Sequence, residues 1–212
     1  MQERNGQAME VYFLRHGQTE WNRLQRIQGA TEWTDLSDEG VHDAEMVRDG
    51  LLARGLSFDR LYSSPYLRAL HTARIIGAGL GLEPVVDSRL REMSFGPYEG
   101  TPYSDDNFVD DNIRACFKAP ERYIAPTGAE SFDAVAARVK DFLDAELAPA
   151  DGHCERVLAV AHGCVLRTVL RLVEGLPLAD FWKGSQPNCC AHIVVYSDER
   201  FVLKERAILF SR

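Results

Sequence analysis

No hydrophobic run in the 212-residue chain approaches the roughly 20 residues that span a bilayer. The opening MQERNGQAME likewise holds no apolar core of the kind a secretory signal needs. Both absences point to a cytoplasmic protein without a membrane partner. Positive charge is in short supply, with 24 Lys and Arg against 32 Asp and Glu and a formal net charge of −8. Nucleic acids and anionic membranes are held by clustered Lys and Arg, so neither is expected as a partner, while a small basic pocket stays compatible with this balance. Cysteine is sparse and odd in number: Cys116, Cys154, Cys164, Cys189 and Cys190 lack paired CxxC spacing and read as reduced thiols. Repeats, low-complexity segments and linkers are absent too. One domain over residues 10–212 is expected, behind a flexible polar leader at 1–9.

What the chain does have is alternation of strand-like and helix-like segments. VYFL (11–14), RLYSS (60–64), PVV (84–86) and RVLAVA (156–161) read as buried strands, and AHIVVY and FVLKERAIL as two closing strands joined by SDER. Between them lie helical stripes: Val41, Ala44, Val47, Leu51 and Leu52 behind a Ser37 cap; Ala69, Ala73, Ile76 and Leu80 up to Gly81; Phe132, Val135, Ala136, Val139, Phe142 and Leu143; and a further helix from His162-Gly163. Residues 94–129 lack a clean period and read as an irregular insertion that covers the substrate. Strands alternating with helices predict a three-layer α/β/α sandwich with a mostly parallel central sheet.

Three of the apolar strands end in polar or small residues, at Arg15-His16-Gly17, Ser64-Pro65 and His162-Gly163. In an open α/β sheet the crevice at the carboxyl ends of the strands is where ligands bind. A single histidine at a strand end is more often a hydrogen-bonded structural residue than a catalyst. Two of them in matched positions, each followed by a glycine that permits close backbone approach, leave function and coincidence equally open.

Further motifs close the question. Leu14-Arg15-His16-Gly17 with Thr19 and Trp21-Asn22, Ser64-Pro65 with Arg68, Ala69, Thr72 and Ala73, Leu90 with Glu92, Phe95-Gly96 and Glu99-Gly100, and Ala161-His162-Gly163 with Leu166-Arg167 follow one another in order. Together they resemble the histidine phosphatase superfamily, the phosphoglycerate mutase-like family, from Val11 to about Tyr196. The resemblance implies phosphoryl transfer through a phosphohistidine on a small phosphorylated metabolite, with no cofactor and no metal. Arg15 and Arg68 would grip the phosphate with always-charged forks. His16 would be the nucleophile, its second ring nitrogen donating to a backbone carbonyl. His162, protonated beside the dianion, would add a donor, and Glu92 would serve as acid and then base. Gln18, Thr19, Asn22, Gln28 and Gly163 are the expected substrate contacts. A monomer or a homodimer would suit such an enzyme.

Other polar residues have plainer readings. His42, His71, His153 and His192 lack ligand spacing and read as surface or structural. Glu99 fits a structural or rim position, and Asp105, Asp106, Asp110 and Asp111 a solvated helix face rather than a calcium loop. Trp21, Trp33 and Trp182 read as packing residues. A cysteine-phosphatase reading of Cys164 fails, because Gly163 separates it from His162 and Leu170 stands where the loop arginine is needed. Within the family, about seventy residues between Glu92 and His162 match the shorter phosphatases rather than the glycolytic mutases. Arg114, Lys118, Arg122 and Tyr123 keep the mutase alternative open, since they offer grips for a carboxylate or second phosphate. A non-catalytic phospho-ligand-binding module is the other alternative, disfavoured because all five core residues are present. Two departures stand out: Thr34-Asp35-Leu36-Ser37 replaces the usual Asp-x-Pro-Leu-Thr, and Ala129 replaces a glycine where its methyl would narrow the pocket rim. Both are expected to leave the catalytic core untouched.

Overall fold

The computed structural model describes residues 8–104 and 107–210. In chain order the elements are β1 (Met9–Arg15), α1 (Glu20–Arg23), α2 (Asp38–Ala53), β2 (Arg60–Ser63), α3 (Leu67–Leu80), β3 (Val85–Val86), α4 (Asp111–Lys118), α5 (Phe132–Phe142), β4 (Arg156–Ala161), α6 (Gly163–Glu174), β5 (Cys190–Ser197) and β6 (Arg200–Leu209), with short 3-10 and π turns between some of them. The expected leader falls mostly on residues 1–7, which lie outside the described residues. Met9 does not belong to it: the side chain is fully buried and opens β1.

The strands form one sheet in the order β3-β2-β4-β1-β5-β6. β1, β2, β3 and β4 run parallel, while β5 and β6 add an antiparallel hairpin at one edge. Its turn residues, Asp198 and Glu199, both have positive φ, the geometry that matches the twist of flanking strands.

The period of two in a strand sends alternate side chains to opposite faces, and each face gains its own core. On one side Met9, Val11 and Phe13 of β1 and Val157, Ala159 and Ala161 of β4 pack beneath α5 and α6. On the other, Tyr12, Leu14, Leu158 and Val160 pack beneath α2 and α3. The expected three-layer α/β/α sandwich follows directly. Ser37 caps α2 by accepting from the Gly40 N–H, and Ser131 caps α5 by accepting from Ala134.

Local expectations fail at identifiable places. Leu52 is 46% exposed, because one residue beyond buried Leu51 turns about 100° around the helix and leaves the stripe. Asp110 and Asp111 are exposed, as expected, but Asp110 also caps α4, accepting from the Ile113 N–H and the Tyr98 hydroxyl, both at 2.9 Å. Asp105 and Asp106 lie outside the described residues.

The first turn of α2 rests against the loop that leaves β1. A Cβ added at Gly40 would stand 2.0 Å from the Gln18 carbonyl oxygen, and one at Gly17 would stand 2.5 Å from the Gly40 carbonyl oxygen. Gly17 is therefore small for helix packing, not for ligand approach. Gly40→Ala is expected to destabilise the fold by about 1–3 kcal/mol in urea unfolding, whereas Leu52→Ala at the exposed face changes it by less than about 0.5 kcal/mol.

Candidate active site

The parallel pairing of β1 with β4 sets Arg15 opposite Ala161, and the His16 N–H donates to the Ala161 carbonyl at 3.0 Å. The two strand-end histidines are thereby side by side, with ring centroids 5.2 Å apart. β2 lies on the other flank of β4 and delivers Ser64, whose N–H donates to Val160. A cleft of about 240 Å³ opens over these ends, lined by Arg15, His16, Arg68, Glu92, Asn22 and Gly163 among others.

His16 Nδ1 lies 2.7 Å from the Gly17 carbonyl oxygen, an acceptor only, so Nδ1 carries the proton and Nε2 keeps a free lone pair. Burial, followed by the Arg68 and Arg15 charges, holds its pKa well below the ordinary 6.5. His162 is fully buried, against the rings of His16 and Tyr66, and is not part of the cleft wall. Its Nε2 is 2.7 Å from Ser64 Oγ, while its Nδ1 is buried without a partner. Ser64 Oγ also accepts from the Tyr66 N–H; with its own proton turned to Nε2, the ring proton of His162 is on Nδ1. In the ligand-free cleft His162 is neutral, since burial and then Arg68, His16, Arg138 and Arg15 lower its pKa well below 6.5.

Arg68 comes from the first turn of α3 and is completely buried. Its Nη1 donates to the Thr31 carbonyl at 2.6 Å and to Thr34 Oγ1 at 2.9 Å, and its Nη2 to the Gly29 carbonyl at 2.8 Å. Burial lowers its pKa to about 10, which leaves it charged at neutral pH. Most of the expected fork is thus spent on the chain itself, and Nε remains unpartnered. Thr34, one of the departures from the family pattern, touches the core after all through this contact. Arg15 donates from Nη1 to the Gln186 carbonyl at 2.5 Å, and its buried Nε is likewise unpartnered.

Glu92 accepts from the Met93 N–H at 2.9 Å and from the Cys164 N–H, at the start of α6, at 3.2 Å to each oxygen. A Cβ at Gly163 would sit 3.8 Å from Glu92 Oε2 and 4.0 Å from Arg15 Nε. A methyl group would make only ordinary contacts there, so the space between the carboxylate and the guanidinium is open without demanding a glycine. Cys164 itself is buried and packs at the helix start, with its thiol pKa pushed well up by burial.

Of the expected substrate contacts, Asn22, Gln28 and Gly163 line the cleft; Gln18 and Thr19 do not. Thr19 is buried as the cap of α1, exchanging hydrogen bonds with Asn22 and donating to Gln28. Gln18 holds the start of α2 instead, its backbone carbonyl accepting the Ser37 N–H at 2.9 Å. Ala129 is not among the lining residues, but pairs through an isolated backbone bridge with Phe95, which is. Arg114, Lys118, Arg122 and Tyr123 are not among the lining residues, and Arg114 lies over the Phe108 ring. Glu99 is structural, accepting from the backbone N–H groups of Ala30 and Phe95. His192 is buried, accepting from the Ala207 N–H through Nδ1, and His71 faces Asp35 at the surface.

Several residues went unread in the sequence. Asn188 donates to the carbonyls of His16 and Gly17, clamping the strand end, and Gln186 lines the cleft beside Arg15. Trp182, expected only to pack, also lines the cleft, as do Phe95, Tyr103 and Phe117. Nothing in QPNCC beyond a turn before a strand signals the role of Asn188. Among the described residues no group of three or more His, Cys, Asp and Glu is arranged to hold a metal ion, and no helix is long and apolar enough to cross a membrane.

Known proteins share this arrangement. A protein of Hydrogenobacter thermophilus, provisionally named a phosphoserine phosphatase, is 35% identical over 179 residues, covering 84% of this chain and 85% of its own. A 2,3-bisphosphoglycerate-dependent phosphoglycerate mutase of Azorhizobium caulinodans is 34% identical over 173 residues, with 78% and 82% covered. The solved structure of Bacillus stearothermophilus YhfR superimposes with a TM-score of 0.84 at 29% identity, covering 97% of this chain and 100% of that one. Residues 11–208 match the sequence pattern of the histidine phosphatase superfamily (branch 1), and the chain belongs to that superfamily, whose members are phosphatases and mutases.

Proposed function

We propose that the protein is a metal-independent phosphomonoester hydrolase that works through a phosphohistidine at His16. The observation that carries this reading is the state of His16: neutral, tautomer fixed by the Gly17 carbonyl, Nε2 free, and set in one cleft with Arg15, Arg68 and Glu92. Phosphoryl transfer depends mainly on positioning and on stabilising charge over the equatorial oxygens. The unpartnered Nε–H groups of Arg15 and Arg68 supply that charge at the cleft, and His162, buried behind it against the His16 ring, has its unpartnered Nδ1 as a further donor. His16 Nε2 attacks phosphorus as the ester oxygen departs, and the acid form of Glu92 gives its proton to that oxygen. Glu92, now a carboxylate, takes a proton from water; the hydroxide oxygen bonds to phosphorus, the nitrogen–phosphorus bond breaks, and inorganic phosphate leaves. The segment 94–129 covers the leaving group.

Hydrolysis is favoured over mutase chemistry by the cleft's cations. A mutase must hold a second anionic group while the phosphoenzyme waits, yet the cations expected for it at Arg114, Lys118 and Arg122 are not in the wall.

His16→Ala is expected to lower kcat/KM on an aryl phosphate in EDTA by at least about 1000-fold, and Glu92→Gln by about 100-fold or more. Brief incubation with labelled substrate should leave acid-labile label on His16. Rapid interconversion of 3- and 2-phosphoglycerate with a trace of 2,3-bisphosphoglycerate, without phosphate release, would instead establish a mutase. A histidine with a depressed pKa stays neutral above the ordinary 6.5 and charges only as pH falls toward its lowered value. Ring nitrogen NMR of His16 should therefore show no protonation midpoint between about pH 8 and 6; a midpoint at 6.5 would remove the pre-formed nucleophile.

A further inference from the structure

Beyond the phosphate end, the cleft wall is built of rings. Phe117 on α4 lies 5.9 Å from Phe95 at an interplanar angle of 10°, 5.7 Å from Tyr103 at 19°, and 4.7 Å from Trp182 at 33°. All four line the cleft, and all but Phe95 are only half-buried, so ring surface is left open there. The wall is fixed without a ligand. Trp182 Nε1 donates to the Cys116 carbonyl at 2.6 Å, and the Arg167 guanidinium lies 5.4 Å over the indole.

The cations in the cleft are already engaged. Arg15 and Arg68 serve the phosphate in the reading above, and Arg167 donates to the carbonyls of Phe181, Lys183 and Gly184. Arg26 is the exception: it is exposed, and donates from Nη1 to the Gly100 carbonyl at the open side of the cleft, away from full burial. A carboxylate or ammonium set against the ring faces themselves would lose hydration that those faces do not replace. A flat ring would instead shed apolar surface onto rings that need no ordering to receive it. Phe95 lines the same cleft as Glu92, the proposed acid to the leaving group, three residues before it in the chain.

Resting on the phosphatase reading, we propose that the cleft selects phosphomonoesters of a primary alcohol that carries a planar ring, which stacks on Phe117 and Trp182, over esters of small charged acids such as phosphoserine and 3-phosphoglycerate. Two matched pairs test this without changing the leaving oxygen: 2-phenylethyl phosphate against ethyl phosphate, and adenosine 5′-monophosphate against ribose 5-phosphate. In at least one pair kcat/KM should favour the ring by about tenfold or more, and both small acids should fall below the ring substrate. The favoured pair tells a hydrocarbon ring from a nucleoside base. Phe117→Leu, which keeps apolar bulk, should bring the preference to within about threefold, read as the ratio of kcat/KM within each pair. Equal rates within both pairs, a preference for phosphoserine or 3-phosphoglycerate, or an equal loss on all substrates in Phe117→Leu would overturn the proposal. If no phosphomonoester is hydrolysed, the phosphatase reading fails by itself. The wall is then judged by binding of 2-phenylethylphosphonate against ethylphosphonate in calorimetry: tighter binding of the ring that is lost in Phe117→Leu supports it, and equal affinity overturns it.

Discussion

The site depends on one backbone contact pattern, the in-register parallel pairing of β1 with β4. Because Arg15 stands opposite Ala161, the residues that follow each strand emerge together, and His16 and His162 meet ring to ring. A slip of one residue would send every core side chain of β1 to the wrong face. The register is therefore held by the two hydrophobic cores, which bury Met9, Val11 and Phe13 on one side and Tyr12 and Leu14 on the other. Apolar burial thus fixes the geometry of two polar rings that could not hold themselves together.

Burial also sets the chemistry. A guanidinium with no solvent exposure is costly unless its hydrogen bonds are met. Arg68 meets three of them with Gly29, Thr31 and Thr34, so the cation organises the loop that carries Gln28 into the cleft. The same charge pushes His16 and His162 toward their neutral forms. What is left unmet is informative: Arg15 Nε, Arg68 Nε and His162 Nδ1 are all buried nitrogens without partners around one strand-end crevice. Buried donors are almost always satisfied, and leaving one unmet costs about 1–3 kcal/mol. These three are the groups that the phosphate of the proposed reaction would satisfy.

Sequence carried the parts of this that are set locally. Period-two strands gave the layers, apolar spacing gave α2, α3, α5 and α6, and the strand-end positions of Arg15, His16 and His162 followed from where the apolar runs stop. Glu92 was reached only through the family resemblance, since its carboxylate is placed by the distant N–H of Cys164. Asn188 and Gln186 escaped notice because their partners lie about 170 residues away in the chain.

Gln18 and Thr19 show why neighbours of a catalytic residue are poor guides to a substrate contact. Both are short-range polar residues just after a strand, where a side chain can serve a ligand or cap a helix, and sequence offers no means to choose. The choice is made by the helix starts that follow. Thr19 is used up by α1 and Gln18 by Ser37 at the start of α2, and the Thr19 cap holds Asn22, which does reach the cleft. The aromatic wall was hidden for the complementary reason. Phe95, Tyr103, Phe117 and Trp182 come from segments with no shared period, and only the fold brings them to one ligand-facing surface. Catalytic identity is therefore written at strand ends, where local pattern is strong. The aromatic wall, drawn from residues 95–117 and from Trp182 far beyond them, has no such pattern, and tertiary packing alone assembles it.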